Sequence, residues 1–426
     1  MESKADWKKI ITEICRICLG VVFIFSGFVK AVDPWGTAYK NMEYFEAFGM
    51  HELEFTAMPF AILQLAVEFG LGIFLLFGVY RRFNTIFSLV FMLFMTPLTL
   101  YLAIKNPVTD CGCFGDALVI TNWQTFIKNI FLLAAAVVVF LWYKKIMPVF
   151  SHKAYTSVVI WAYAFIVGYA FYNYSNLPMI DFRPYKTGAN IPELMTVPEN
   201  AESDVYETVL IYKKDGKEQE FTLQNYPKDD TWEFVDQKSK LLKKGYEPPI
   251  HDFTITTDSE DDITYEVLSD TSYTFLLIST KFSDASDVHS YRINALYEYS
   301  KQMGYGFYAL TSSTAADIAD WRKSTGAEYP ICTADNTTLK TIIRSNPGLL
   351  LLKDGTIINK WANNDIPKQQ TLNNRLEDSP LGKTPRKYTV LKVLLTFIIF
   401  SIPLGILYII DFERRQRKHI RKTKNE

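Results

Sequence analysis

Residues 10–30 read IITEICRICLGVVFIFSGFVK, and this stretch decides the fold class. It is long enough to cross a bilayer, which takes about 20 predominantly apolar residues in a helix. Further apolar runs of similar length follow at roughly 59–80, 83–104, 126–143, 156–175 and 388–410. The sequence therefore predicts a multi-pass α-helical membrane protein with six spans.

The overall composition hides a partition of the chain into apolar and polar parts. A net charge of -1 and 21% charged residues would suit an ordinary soluble protein. Residues 177–386 are rich in Asp, Glu, Lys, Ser and Thr, and this length is ample for a separate soluble domain with its own core. The basic tail at 411–426 is explained by membrane topology and attraction to anionic lipids, so nucleic-acid binding has no support.

Basic residues, which favour the cytoplasmic side of a membrane, alternate along the chain. They precede the first span, separate the second from the third and the fourth from the fifth, and follow the sixth: Lys4, Lys8, Lys9, Arg81, Arg82, Lys144, Lys145, Lys153, Arg414, Arg415, Arg417, Lys418, Arg421, Lys422 and Lys424. The loops at 31–58 and 105–125 carry one lysine each, Lys40 and Lys105. This pattern predicts a bacterial inner-membrane protein with both termini in the cytoplasm and residues 177–386 in the periplasm. Arg16 and the lack of a small-residue cleavage site predict that the first span is retained.

The loop between the third and fourth spans contains the motif Asp110-Cys111-Gly112-Cys113-Phe114-Gly115-Asp116. The chain has five cysteines, and Cys111 and Cys113 are the pair that lies outside an apolar run. A dithiol at a membrane face indicates redox chemistry. Two alternatives remain: a structural disulfide or inert thiols, and a metal site, although two thiolates do not complete a tetrahedral zinc site and no His lies nearby.

The spacing of the two cysteines favours thiol–disulfide exchange over a structural disulfide. A disulfide between residues i and i+2 would close a small strained ring, and strain makes a disulfide easier to reduce. Two opposing effects act on the thiol pKa values: Asp110 and Asp116 raise them by repulsion, whereas the helix N-terminus near Thr121 lowers them. The sequence leaves open which effect is larger.

Glu68 is the second candidate site residue. It lies near the predicted centre of the second span, where a carboxylate is costly unless it is paired or protonated. Gln64 lies one turn away on the same face, and Arg16 is the candidate partner. Glu68 is either a proton carrier or part of a quinone site, or it is a paired structural group. The sequence leaves the cofactor unknown, and a quinone is one candidate.

The other three cysteines are weaker candidates. Cys15 and Cys18 share one face of the first helix, roughly 20–24 Å of helix from its outer end, so we expect them to pack rather than to exchange with Cys111 or Cys113. Cys332 is a single thiol in the polar part, and we expect it to be buried.

Three segments of the membrane part resemble the DoxX and MauE-like membrane proteins. They are residues 19–30 (LGVVFIFSGFVK), residues 67–72 (VEFGLG) and, most specifically, Cys111-Gly112-Cys113-Phe114-Gly115. The resemblance covers residues 8–145 and implies a four-helix membrane bundle associated with periplasmic disulfide or quinone-linked redox metabolism. The spans at 156–175 and 388–410 lie outside it. Bundle and outer domain together resemble DoxX-like inner-membrane proteins of the Bacteroidota.

The polar part is predicted to contain two modules. Residues 177–248 form a small one, with a β-hairpin at 206–223 that turns at Asp215-Gly216 and a short helix at 231–243. Residues 249–386 alternate strands and helices: a hairpin near 252–268, strands at 274–279 and 306–310, helices near 286–303, 314–325 and 335–344, and a closing hairpin at 348–358. This order resembles an α/β thioredoxin fold of the peroxiredoxin-related type, which implies a cis bond before Pro347.

The thioredoxin-like domain departs from that family at its active site. Where the family carries Cys-x-x-Cys, this chain reads Phe282-Ser283-Asp284-Ala285-Ser286. Serine cannot undertake thiol–disulfide exchange, so resemblance of fold confers no oxidoreductase activity on this domain. We expect the domain either to dock a partner or to be retained as structure.

These patterns favour periplasmic thiol–disulfide exchange through Cys111 and Cys113, in support of envelope protein maturation. A periplasmic or membrane protein would dock on the degenerate thioredoxin-like domain. The alternative is non-enzymatic: a membrane scaffold, or a partner-binding subunit of an envelope translocation or folding assembly. A small-molecule transporter has less support, because the spans supply one isolated acidic group and no evident inverted repeat.

Overall fold

The computed structural model describes residues 6–203, 205–214, 216–227, 231–243, 245–385 and 389–423. Lys4, Asp215, residues 386–388 and Lys424, on which some sequence-based predictions rest, lie outside the described residues. The first part of the chain is helical: α1 (Trp7–Val32), α2 (Pro34–Ala47), α3 (Ala57–Phe77), α4 (Arg81–Lys105), α5 (Asn122–Leu141) and α6 (Tyr155–Ser175). Two β-sheets follow, and one more long helix ends the chain.

The protein is a multi-pass membrane protein. Among the described residues, six helices are long and apolar enough to cross a membrane, which confirms the six predicted runs: Trp7–Val32, His51–Phe77, Arg81–Lys105, Asn122–Leu141, His152–Ser175 and Thr389–Arg417. Local signals set their ends. Gly78 ends α3 with a φ of 65°, and Thr121 begins α5 with a capping box that it forms with Gln124.

The segment 31–58 is not the loop that its polarity predicts, because it contains α2. Asp33 accepts a hydrogen bond from the Gly36 N–H at 2.9 Å, and Pro34 supplies the first helical residue. Ala38, Met42 and Phe45 form an apolar face of α2 that packs against α3, but the other faces of the helix are polar, so hydropathy does not reveal it. The helix lies beside the residue 106–121 segment, which connects α4 to α5 and which we call the cysteine loop.

Glycines allow the antiparallel helices α1 and α3 to pack closely. A Cβ atom on Gly27 would lie 2.5 Å from the backbone N of Phe69, and one on Gly72 would lie 2.7 Å from the carbonyl O of Gly20. Small residues of this kind let membrane helices approach until their backbones touch. The approach brings buried charged side chains of α1 and α3 together.

A helix of five residues, α7 (Ile191–Met195), leads to a small antiparallel sheet. Its strands are β1 (Val205–Lys214), β2 (Lys217–Thr222) and β3 (Glu233–Lys243), in the order β2-β1-β3. The predicted hairpin at 206–223 is confirmed. The predicted helix at 231–243 is wrong, because this segment pairs with β1 along nearly its whole length, and such pairing overrides local helix propensity.

The second sheet has the thioredoxin-like arrangement. The elements are α8 (Thr264–Ser269), β4 (Tyr273–Ser279), α9 (Ser290–Met303), β5 (Gly306–Thr311), α10 (Ala315–Thr325), β6 (Ile331–Thr333), α11 (Asn336–Ile342), β7 (Gly348–Lys353) and β8 (Thr356–Ala362). The strand order is β6-β5-β4-β7-β8, with β4, β5 and β6 parallel and β7 antiparallel to both of its neighbours. The predicted cis bond between Asn346 and Pro347 is confirmed.

Two details of this domain differ from the prediction. The hairpin near 252–268 is reduced to a single bridge between Thr256 and Asp262, because the chain turns into α8 directly afterwards. The three-residue strand β6 is absent from the prediction, since so short a run carries little periodicity.

Apolar side chains cover both faces of the five-stranded sheet. On one face Phe275 packs with Trp321, and on the other Leu276 packs with Tyr185 and Ile191. The last two residues precede the small sheet. The segment before that sheet therefore contributes to the core of the thioredoxin-like domain, across the predicted module boundary at residue 249.

The last helix, α12 (Thr389–Thr423), contains the sixth span and continues into the basic tail. The tail predicted at 411–426 is therefore helical as far as residue 423. The Asp411 carboxylate accepts a hydrogen bond from the Ser151 N–H at 2.8 Å, which ties α12 to the segment before α6.

Gly27→Ala tests the contact between α1 and α3. Because the added Cβ would lie 2.5 Å from a backbone atom, the helices must separate, and overpacking of this kind costs about 1–3 kcal/mol. We expect a lower thermal unfolding midpoint for the detergent-purified protein. Gly168→Ala in α6, where a Cβ would meet nothing within 4 Å, is the matched control and should leave the midpoint unchanged. Equal midpoints for the two variants would contradict the close packing.

Candidate dithiol site

The cysteine loop holds Cys111 and Cys113 side by side. Gly112 between them has a φ of 65°, a left-handed conformation that glycine adopts at little cost. The Asp110 carboxylate accepts a hydrogen bond from the Gly112 N–H at 2.8 Å, which fixes the turn. The two Sγ atoms lie 2.8 Å apart, and both cysteines are free thiols. The turn thus keeps the thiols within reach of each other.

Two side chains of α1 form hydrogen bonds to the backbone of the cysteine loop. Lys30 Nζ and Ser26 Oγ each donate a hydrogen bond to the carbonyl O of Cys113, both at 2.7 Å. Lys30 Nζ also donates to Ser26 Oγ at 2.8 Å. The two residues are four apart in sequence, so they lie on the same face of the helix. The backbone of Cys113 is therefore fixed by two hydrogen bonds, one of them from a charged donor.

Glu68 completes a buried ion pair beneath the loop. Its Oε2 lies 2.7 Å from Lys30 Nζ, and the two side chains are 4% and 1% exposed. Gln64 donates to Glu68 at 3.5 Å, as its position predicts. The predicted partner Arg16 is wrong: the antiparallel packing of α1 and α3 places Lys30 opposite Glu68, and Arg16 pairs with Glu13 instead. Glu68 is therefore the counter-ion of Lys30, and its role as proton carrier or quinone group stays a prediction.

The helix α2 supplies the second set of contacts to the loop. The Tyr44 hydroxyl donates to the carbonyl O of Cys111 at 2.9 Å. Lys40 Nζ lies 2.9 Å from a carboxylate oxygen of Asp110 and 2.7 Å from one of Glu43. The two cysteine carbonyls are thus held by different helices, one by α1 and the other by α2.

The two thiols lie in unequal environments. Cys111 is buried, whereas Cys113 is half-buried. A hydrogen bond from the Cys111 thiol, together with the nearby cations Lys128 and Lys30, lowers the pKa of Cys113 to about 7 despite its burial. The same hydrogen bond, with burial, raises the pKa of Cys111 well above its usual range. Cys113 is therefore the better nucleophile near neutral pH.

Both acidic residues of the motif are paired with cations. Asp110 bonds to Lys40, and an oxygen of Asp116 lies 3.3 Å from Nη2 of Arg344. Their repulsion of a thiolate is weakened as a result. The lowered pKa of Cys113 thus comes first from the Cys111 hydrogen bond and then from the cations Lys128 and Lys30.

Arg344 also joins the thioredoxin-like domain to the membrane region. Its side chain is 7% exposed, and its Nε lies 2.9 Å from a carboxylate oxygen of Asp33, the residue between α1 and α2. A cavity of about 180 Å³ lies here, lined on one side by Gly112 and on the other by Arg183 and Arg344. The cysteine loop is therefore in contact with the outer domain.

The remaining cysteines do not join this site. Cys15 packs against apolar side chains of the bundle, as expected, and Cys18 is exposed on α1. Cys332 is buried in β6, as expected, and burial raises its pKa to about 11. A thiol of that pKa is a poor nucleophile at neutral pH.

The degenerate site of the thioredoxin-like domain keeps its place next to the cis peptide. Residues 282–284 form a short 3-10 turn, and the N–H of Ser286 donates to the carbonyl O of Asn346 at 3.1 Å. Ser283 is exposed and Ser286 is half-buried. Ser286 therefore lies next to the cis peptide, at a position where the resemblance implies a thiol.

Four important side chains are absent from the sequence-based predictions: Ser26, Lys30, Tyr44 and Arg344. Lys30 ends an apolar run and so resembles a boundary residue, but its spacing of four from Ser26 is a usable signal for a shared polar face. Tyr44 lies in the segment whose polarity predicts a loop. The contacts of Arg344 depend on how two domains meet, for which the sequence holds no local signal.

Comparison with known families agrees with this architecture. Residues 8–142 match the family model of the methylamine utilisation protein MauE. Residues 8–142 are MauE-like. The match contains α1–α5, including the whole cysteine loop, and agrees with the predicted extent of 8–145, whereas the relation to DoxX stays a prediction. Residues 206–244, beyond the MauE-like region, match a domain of unknown function, DUF8463, and contain most of the small sheet.

The other comparisons add little to the MauE-like match. No curated protein matches the chain. One solution structure that matches is provisionally named as a protein disulfide isomerase of Bacteroides thetaiotaomicron. It is 17% identical and covers 28% of this chain and 78% of its own, with a TM-score of 0.23. The thioredoxin-like assignment rests on the strand order β6-β5-β4-β7-β8.

The unequal thiols predict unequal alkylation of the reduced protein. With limiting iodoacetamide at pH 7, Cys113 should be modified well before Cys111, because its lowered pKa leaves a large thiolate fraction. The rate at Cys113 should fall as the pH drops through about 7, since the thiolate is then protonated. Peptide mass spectrometry measures each site, and Cys332 should stay unmodified as an internal control. Faster modification of Cys111 would contradict the assignment.

Proposed function

We propose that this protein carries out thiol–disulfide exchange through Cys111 and Cys113, in support of envelope protein maturation. The observation that carries the proposal is the geometry of the pair: two free thiols 2.8 Å apart, in a turn held by Asp110, Tyr44, Lys30 and Ser26. Unequal thiols suit exchange, because one attacks and the other resolves. A structural disulfide needs no such difference between its two cysteines.

The exchange proceeds in two steps in the reductive direction. The Cys113 thiolate attacks one sulfur of a client disulfide, the client S–S bond breaks, and the departing client sulfur takes up a proton. Cys111 then loses its proton and attacks Cys113 Sγ, which releases the second client thiol and leaves a Cys111–Cys113 disulfide. Two electrons pass to the client. A client dithiol reverses both steps, and a membrane quinone stays a prediction as the acceptor that would reoxidise the pair.

We propose that the client or partner docks on the edge of the thioredoxin-like domain near Ser286 and Pro347. Val288 and Tyr291 beside this edge are 68% and 63% exposed, which favours a contact with another protein. Arg344, three residues before Pro347, reaches the cysteine loop at Asp116. A protein on this edge would therefore lie near the dithiol.

We place the site at the periplasmic face of the inner membrane, with both termini in the cytoplasm. The support is the alternation of basic residues along the chain. A location outside the cytoplasm suits the chemistry, because cytoplasmic thiols are kept reduced.

A non-enzymatic scaffold is the second candidate function. The serines at 283 and 286 favour it, since a partner-binding domain needs no thiols. In that case the cysteine pair would hold its loop together and would never bond to a client.

Substitution of one cysteine at a time separates the two functions. Cys111→Ser removes the resolving thiol, so mixed disulfides should accumulate on Cys113 in cells. Cys113→Ser should trap far less, because the remaining thiol is buried and less acidic. Non-reducing electrophoresis followed by mass spectrometry identifies the clients, and Cys332→Ser is the control that should behave as wild type.

Two results would contradict the exchange proposal. One is the absence of any mixed disulfide in both single variants, which would leave the scaffold. The other is protection of Cys113 from a membrane-impermeant maleimide in dithiothreitol-treated spheroplasts of the Cys111→Ser strain, with labelling restored when the cells are lysed, which would place the loop in the reducing cytoplasm.

A further inference from the structure

We infer that Lys30 is a positioning residue that orients Cys113 and favours its thiolate, with Ser26 and Glu68 as its supports. The inference deepens the proposed exchange function and rests on it. It concerns a side chain that lies inside the first span and is not part of the cysteine motif.

The first argument is geometric. A lysine ammonium has three N–H donors, and Lys30 uses them on Glu68 at 2.7 Å, Ser26 at 2.8 Å and the carbonyl O of Cys113 at 2.7 Å. With its three donors satisfied and its side chain 1% exposed, Lys30 is held in one side-chain conformation. The position of the Cys113 backbone is fixed as well, because its carbonyl O is one of the three acceptors.

The second argument concerns the cost of the buried charge. Taking an ammonium and a carboxylate out of water is expensive, and a buried ion pair often adds no more stability than apolar residues of similar size. The Lys30–Glu68 pair therefore has a weak structural rationale by itself. Its contact with the dithiol loop supplies a functional one.

The third argument is electrostatic. Charged and titratable groups act on Cys113 from several elements: Lys30 of α1, Tyr44 of α2, Glu68 of α3, Lys128 of α5 and Cys111 of the loop. Asp110 and the Lys40 bonded to it lie beside the neighbouring Gly112, and α4 contributes the apolar Leu98 and Leu102. Lys30 favours the thiolate, whereas Glu68 opposes it. Neutralising the two should therefore shift the acidity of Cys113 in opposite directions.

The test measures the pH dependence of Cys113 alkylation in full-length, reduced, detergent-purified protein. Lys30→Met should raise the midpoint, and Glu68→Gln should lower it because the ammonium then acts unopposed. A rise of about one pKa unit would slow alkylation at pH 7 about fivefold, since the thiolate fraction falls by that factor. Ser26→Ala, which leaves both charges in place, should shift the midpoint less than either.

Two further variants guard against misfolding. The double variant Lys30→Met, Glu68→Gln leaves no buried unpaired charge, so it should fold and give a midpoint between those of the single variants. Lys105→Met is the matched control. Lys105 is the exposed last residue of α4, directly before the cysteine loop, and it forms no ion pair within the described residues. Its midpoint should equal that of wild type.

The outcomes separate this inference from the exchange function. Opposite shifts in the single variants support the positioning role even if no client is ever trapped. Unchanged midpoints, or shifts of the same sign in both, would overturn it even if clients are trapped through Cys113. A loss of thermal stability with unmoved midpoints in both single variants would show that the cluster only holds the helices together.

Discussion

The carbonyl oxygen of Cys113 accepts hydrogen bonds from Lys30 and Ser26, and the dithiol site depends on this contact. It exists because glycines let α1 and α3 pack closely enough for Glu68 to offset a buried ammonium. A looser bundle would leave that charge unpaired in the membrane, which is expensive. The same contact fixes the turn that holds the two thiols, and it places a positive charge near the more acidic thiol, that of Cys113. Helix packing, loop geometry and thiol chemistry are thus linked through one lysine.

The paired thiols of this chain lie outside its thioredoxin-like domain. The thioredoxin-like domain retains the strand order and the cis peptide but presents Ser283 and Ser286, whereas the thiols stand on a loop of the MauE-like region. Arg344 connects the two parts through Asp33 and Asp116. In the function we propose, the outer domain binds and the membrane region reacts, so their contact matters as much as either part.

Sequence patterns that depend on local composition predict much of this structure. Hydropathy locates the six spans, the order of elements predicts the thioredoxin-like domain, and the spacing of Cys111 and Cys113 marks the site. Features that depend on tertiary contact escape prediction. The segment at 231–243 becomes β3 because β1 is beside it, and Glu68 pairs with Lys30 rather than Arg16 because α1 and α3 are antiparallel. A polar helix such as α2 escapes as well, since its capping signal at Asp33 is short.

A redox titration of the purified full-length protein tests the central claim most directly. The protein is equilibrated in buffers of graded dithiothreitol ratio, and free thiols at positions 111 and 113 are counted by mass-tagged maleimide. The account predicts that both thiols disappear together in one reversible two-electron transition, while Cys332 stays unchanged. Thiols that remain free at every potential, or that are lost independently of each other, would contradict it.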